Sequence, residues 1–174
     1  MNQANETLTL SQIAALLETT PQILRQKLSL LPEEIQRWRP ASGEWCINEV
    51  LGHLIEADRN GFDGRIRTIL AEERPHLIAW DIGGVSARRR DCERNGLDLL
   101  AELAVMRAQS AQLVAALQPE QLARTGLHPV VGELAVSDLL HEWAYHDYNH
   151  VRQILSNVQA FIWPSLKNAQ KFSK

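Results

Sequence analysis

Cysteine is scarce in this chain: 174 residues hold two, Cys46 and Cys92. Two cysteines make no disulfide framework, so the fold has to rest on a packed core. Long apolar runs are missing as well. None approaches the roughly 20 residues that a membrane helix needs, and the opening MNQANETLTL has neither the basic start nor the apolar middle of a secretory signal. No membrane partner is expected, and a cytoplasmic location is. Excess positive charge is absent too, since 18 Lys and Arg stand against 21 Asp and Glu, for a formal charge of -3. Without a basic field to gather phosphate backbones, no nucleic-acid partner is expected. The densest basic segment, ARRRDCER, is diluted by its acids and reads as a solvated helix face. Alternating, strand-like runs are nearly absent, and repeats, linkers and low-complexity stretches are not seen.

What is present is helical periodicity and enough apolar material, 45% of residues, for a real core. The length suits one compact domain over residues 1–174. The first helical stretch, LSQIAALLETTPQILRQKLSLL, has Thr20 and Pro21 in its middle, where a helix can restart. The second runs from about Ile47 to Glu73, ahead of Pro75. RPHLIAWDIGGV then makes a connection able to cross the end of a bundle. A third helix is expected from about Ser86 to Leu117. RTGLHPVVGEL follows as an irregular loop, and the fourth helix runs from about Val136 to Val158. Four long helices imply an all-α four-helix bundle with long crossing loops. The tail WPSLKNAQKFSK is expected to pack Phe161 and Trp163 on the bundle and then fray.

Three of six histidines fall in HEWAYHDYNHVRQIL. At 100° per residue His146 and His150 lie one turn apart on one face, while His141 projects elsewhere beside Tyr145 and Tyr148. HxxxH on one helical face lets two imidazoles grip one divalent metal. It lacks the glutamate of HExxH, so this is no zincin, and chance pairs at this spacing are common. A third ligand is required. His53, in EVLGHLIEAD, flanks an apolar arc and reads by itself either as a hydrogen-bonded core residue or as that ligand.

The stretches RWRPASGEWCINEVLGHLIEADRNGFDGRIRTIL, HPVVGELAVSDLL and HEWAYHDYNHVRQI, in this order and spacing, resemble the DinB-like family of the DinB/YfiT type over nearly the whole chain. The resemblance implies a four-helix bundle holding a divalent metal, nickel or zinc, on His53, His146 and His150. It further implies a homodimer and a small-molecule substrate, with thiol-dependent chemistry on a low-molecular-weight thiol in the family's characterised enzymes. A metal-dependent transferase, hydrolase or isomerase is the leading expectation. The rival is a non-catalytic small-molecule-binding or stress-response protein with a structural metal. The chain departs from the family at Cys46, where serine is usual. Near a helix N-terminus that thiol reads either as reactive or as a small apolar residue in a cap position; at about 1.5 Å per residue it stands some 10 Å along the axis from His53, too far to share its metal.

Two further sets of residues call for partners. Glu49, Glu56, Glu142 and Gln153 sit one turn from the histidines, as candidates to orient the imidazoles or as solvated surface groups. Arg107 interrupts the apolar stripe Leu100, Leu103, Ser110, Val114, Leu117, while Asp58 and Asp147 intrude on the arcs of their own helices. Arg107 is expected to pair with Asp147 or Asp58 inside the bundle, or else to snorkel outward along its stem.

Overall fold

The computed structural model describes residues 7–173. Helix α1 (Leu10–Leu28) starts at a capping box in which Thr9 and Gln12 satisfy each other's backbone N–H groups. It runs through Pro21 without the expected restart. Pro21 is buried, and α1 packs along α6, so tertiary contact compensates for the missing N–H. After the short α2 (Glu33–Arg37) comes the second long rod. It is made of α3 (Ile47–Glu56), a π-helical turn (Ala57–Phe62) and α4 (Asp63–Ala71).

The expected third helix divides. α5 (Ile82–Arg89) ends at Arg90, whose φ of 50° is left-handed, and a 3-10 turn (Asp91–Glu93) follows. The long helix α6 (Gly96–Ala116) starts only at Asn95, whose side chain accepts from the Leu97 and Asp98 amides. After α7 (Pro119–Leu122), the segment expected as an irregular loop forms an antiparallel hairpin, β1 (Thr125–His128) with β2 (Gly132–Ala135). The stretch after α4 joins its edge: Leu77 N–H donates to Leu127 and Leu127 N–H to Pro75. α8 (Val136–Ile162) closes the bundle. In the tail, Phe161 meets Trp38 edge-on, yet Phe161 and Trp163 stay 38% and 41% exposed, less covered than expected.

The four long rods, α1, α3–α4, α6 and α8, make a four-helix bundle. Its core lies in two apolar halves. One holds Leu17, Phe62, Ala111 and Trp143, and the other Leu24, Ile55, Leu103 and Ile154. Between them each rod contributes one polar residue: Thr20, Asp58, Arg107 and Asp147, all buried. The guanidinium of Arg107 donates through Nε to Asp58 Oδ2 at 2.5 Å, and through Nη1 and Nη2 to the two oxygens of Asp147, each at 2.6 Å. Thr20 Oγ1 donates to Asp147 Oδ2 and Trp143 Nε1 to Asp58 Oδ1. The expected pairing of Arg107 is thus made with both aspartates at once.

Candidate metal centre

The histidines stand directly above this polar layer. α8 carries His146 and His150 on one face, next to buried Asp147, and α3 brings His53 against them. The three Nε2 atoms converge: His146 Nε2 is 3.0 Å from that of His53 and 3.1 Å from that of His150. Aromatic rings hold the imidazoles in place. Trp45 and Trp80 flank His53 at centroid distances of 4.9 and 5.9 Å, and Phe62 lies 5.1 Å from His146.

Burial, followed by the neighbouring imidazoles, pushes His53 down to about 3. Burial also brings His146 down to about 3 and lowers His150. All three are therefore neutral near pH 7 and can present lone pairs. His150 Nδ1–H donates to Gln153 Oε1 at 2.8 Å, which turns the His150 Nε2 lone pair toward the centre. His146 Nδ1 is buried without a hydrogen-bond partner. Three neutral imidazoles cannot satisfy one another here, because any proton placed between two rings still leaves a lone pair aimed at the cluster. A cation removes the conflict. With metal–nitrogen bonds of about 2.0–2.1 Å, nitrogens 3.0 and 3.1 Å apart are close enough for one ion to reach them together. The donor set therefore fits a divalent metal, and among the described residues no fourth His, Cys or carboxylate joins the cluster.

Of the four neighbours proposed to orient the imidazoles, Gln153 does so. Glu49 binds Arg39 and the Cys46 N–H, and Glu56 binds Arg59, Asn60 and Arg89. Cys46 belongs to a different cluster, with its sulfur 2.6 Å from that of Cys92. Burial, with Cys92 beside it, holds the Cys46 thiol above its ordinary range, which favours the reading of a small apolar cap residue over that of a reactive thiol. The ARRRDCER segment is only partly a solvated face. Arg88 and Arg90 are exposed, but Asp91 is buried, and Arg89 reaches both Asp91 and Glu56.

A cavity of about 390 Å³ opens in front of the triad. His53 and His146 form part of its wall, with Phe62, Arg65, Trp80, His128, Val130 and Glu142. Sequence reasoning did not reach Arg65, Trp80 and His128, which come from separate segments. It treated Glu142 only as a neighbour of His146, whereas the carboxylate lies in the cavity wall. The one available signal was the unassigned His128 in an otherwise turn-like stretch.

The chain is 29% identical over 141 residues to YuaE of Bacillus subtilis, covering 74% of this chain and 86% of that protein. It is 22% identical over 152 residues, 84% of each chain, to an Oceanobacillus iheyensis protein whose name places it provisionally among metal-dependent hydrolases. In structure it matches YfiT from Bacillus subtilis with a TM-score of 0.80 and 20% identity, over 92% of this chain and 93% of that one. That structure is described as a probable metal-dependent hydrolase with an unusual four-helix bundle topology, and the likeness establishes the shared bundle. The sequence model of the DinB superfamily matches residues 16–154, most of the chain and every residue of the histidine cluster. With that span, and with the bundle in place around the triad, the chain belongs to the DinB superfamily.

Proposed function

We propose that this protein is a metal-dependent enzyme acting on a small molecule held in the cavity, with His53, His146 and His150 as the metal ligands. The observation that carries the reading is the convergence of three neutral Nε2 atoms on a point that no fourth ligand among the described residues closes and that faces a lined cavity. A sealed site would favour a purely structural metal. A bound divalent ion, zinc or nickel, supplies Lewis acidity and brings a water or thiol toward its anionic form near neutral pH.

The protein's own groups do the rest. His150 is held by Gln153 with its Nε2 lone pair directed inward, and the flanking rings fix the His53 plane. Glu142, one turn before His146 and part of the cavity lining, would be the group to accept the proton that the nucleophile gives up. Phe62, Trp80 and Val130 give the cavity an apolar lining. Hydrolysis and thiol transfer both use these groups, and the names of the relatives favour hydrolysis.

Elemental analysis after loading with zinc or nickel should find one metal per chain, and His53→Ala, His146→Ala and His150→Ala should each remove most of it. Glu142→Gln should retain the metal and lose turnover in a screen of ester, amide and thiol-transfer substrates. Protein that takes up no stoichiometric metal under any loading condition overturns the reading.

A further inference from the structure

Arg107 is buried, and Arg65, Arg89 and Arg94 are half-buried. Three of these each have a carboxylate within 4 Å: Arg89 has Glu56 and Asp91, Arg94 has Asp91 and Glu102, and Arg107 has Asp58 and Asp147. Arg65 has none among the described residues. Its Nη2 reaches His128 Nε2 at 3.0 Å and the Ile78 carbonyl at 3.3 Å, and its Nε is buried with no partner at all. A guanidinium left in this state is costly unless something else completes it. Glu142 lines the same cavity and its charge is felt by Arg65, but the two form no ion pair within 4 Å.

His128 deepens the mismatch. Its Nδ1 faces the backbone N–H groups of Val130 and Val131 at 3.3 and 3.4 Å, and its Nε2 faces the Arg65 N–H. A neutral imidazole carries one proton, so either tautomer sets a donor against a donor. Donors therefore accumulate on one side of the cavity without an acceptor to receive them. The same cavity is lined by His53 and His146 and by the apolar side chains of Phe62, Trp80, Val130 and Val131.

We infer that the substrate carries a carboxylate, seated on Arg65 and His128, with an apolar body along the cavity and its reacting group at the triad. A carboxylate suits the site better than a phosphate dianion, because a single guanidinium faces it and Glu142 adds a negative charge to the same wall. A volume of about 390 Å³ matches a small organic acid. This inference rests on the triad being the reacting centre, yet the anion site can be tested without metal.

The probes are hexanoate and 1-hexanol, titrated by calorimetry into metal-free and zinc-loaded protein. In the metal-free protein hexanoate should bind at least about tenfold more tightly than the alcohol, as expected for a charge-assisted hydrogen-bonded pair. Arg65→Met should erase that preference, while Arg65→Lys should keep part of it. Added sodium chloride should weaken hexanoate but not hexanol in the unmodified protein, a readout that needs no variant. Equal affinities for the two probes, or a preference that survives Arg65→Met, would overturn the inference. Failure of the metal reading shows separately, as absent zinc with the hexanoate preference intact. In zinc-loaded protein, 6-mercaptohexanoate should bind more tightly than hexanoate, since it engages both ends of the cavity; no gain would overturn the placement of the reacting group at the triad.

Discussion

His53 and His146 are neutral because the bundle refuses their protons, and that refusal has a thermodynamic signature. Their folded values, about 3, lie below the ordinary imidazole value of about 6.5. Between those limits the unfolded chain binds protons that the folded chain does not, so stability rises with pH and is lost as pH falls from 6.5 toward 3. Asp58 works in the opposite sense. Burial raises it against the pull of Arg107, so this group by itself takes stability away as pH climbs above the ordinary carboxylate range. Three lowered imidazoles outweigh one raised carboxyl, and metal-free protein should become less stable in urea at pH 4.5 than at pH 6.5. His53→Gln should flatten this slope. Parallel pH profiles for the variant and the unmodified protein would mean that His53 does not contribute.

At the level of the element, the π turn between α3 and α4 decides where the residues below the triad point. Its closing N–H, that of Asp63, bonds to Asp58 five residues back, and the wider turn carries both Asp58 and Phe62 into the bundle. Gly64 permits it. A Cβ there would lie 2.2 Å from the Arg59 carbonyl oxygen, in backbone that cannot easily yield. Gly64→Ala should therefore cost about 1 to 3 kcal/mol in urea unfolding, the usual range for overpacking. It should also weaken zinc binding, because Phe62 touches His146. Unchanged stability in this variant would show that the turn does not depend on the missing side chain. No periodicity announced the turn, since one extra residue in a helix leaves the apolar pattern nearly intact on both sides.

Across the whole molecule, Arg107 ties three of the four rods together, and Thr20 brings in the fourth through Asp147. One cation serves two carboxylates in a layer that lies between the two apolar halves of the core. Arg107→Met should cost about 3 to 5 kcal/mol, as for removal of one partner from a buried ion pair. Adding Asp147→Asn should restore part of the loss, and more of it than Asp58→Asn, because Asp147 holds the guanidinium by two bonds. Strictly additive losses in both double variants, measured by denaturant unfolding, would count against the layer as a coupled unit. The layer also sets the rotation of α8, and so the direction in which His146 and His150 point.

The sequence by itself determined what local geometry encodes: four long helical stretches, the shared face of His146 and His150, and three charges that could not lie alone on apolar arcs. Such statements need only the angle per residue and the cost of burying a charge. The pattern around His53 left core residue and ligand both open, and the family resemblance pointed to the triad. Only the folded bundle brings the His53 ring to 3.0 Å from its partner. The choice between Asp147 and Asp58 could not be read from spacing, and the structure takes both, since inter-helix rotation places them on opposite sides of one guanidinium. The cavity was the least legible feature. Its walls come from α4, the segment after it, the hairpin and α8, whose meeting depends on loop closure and hairpin pairing that no local period records.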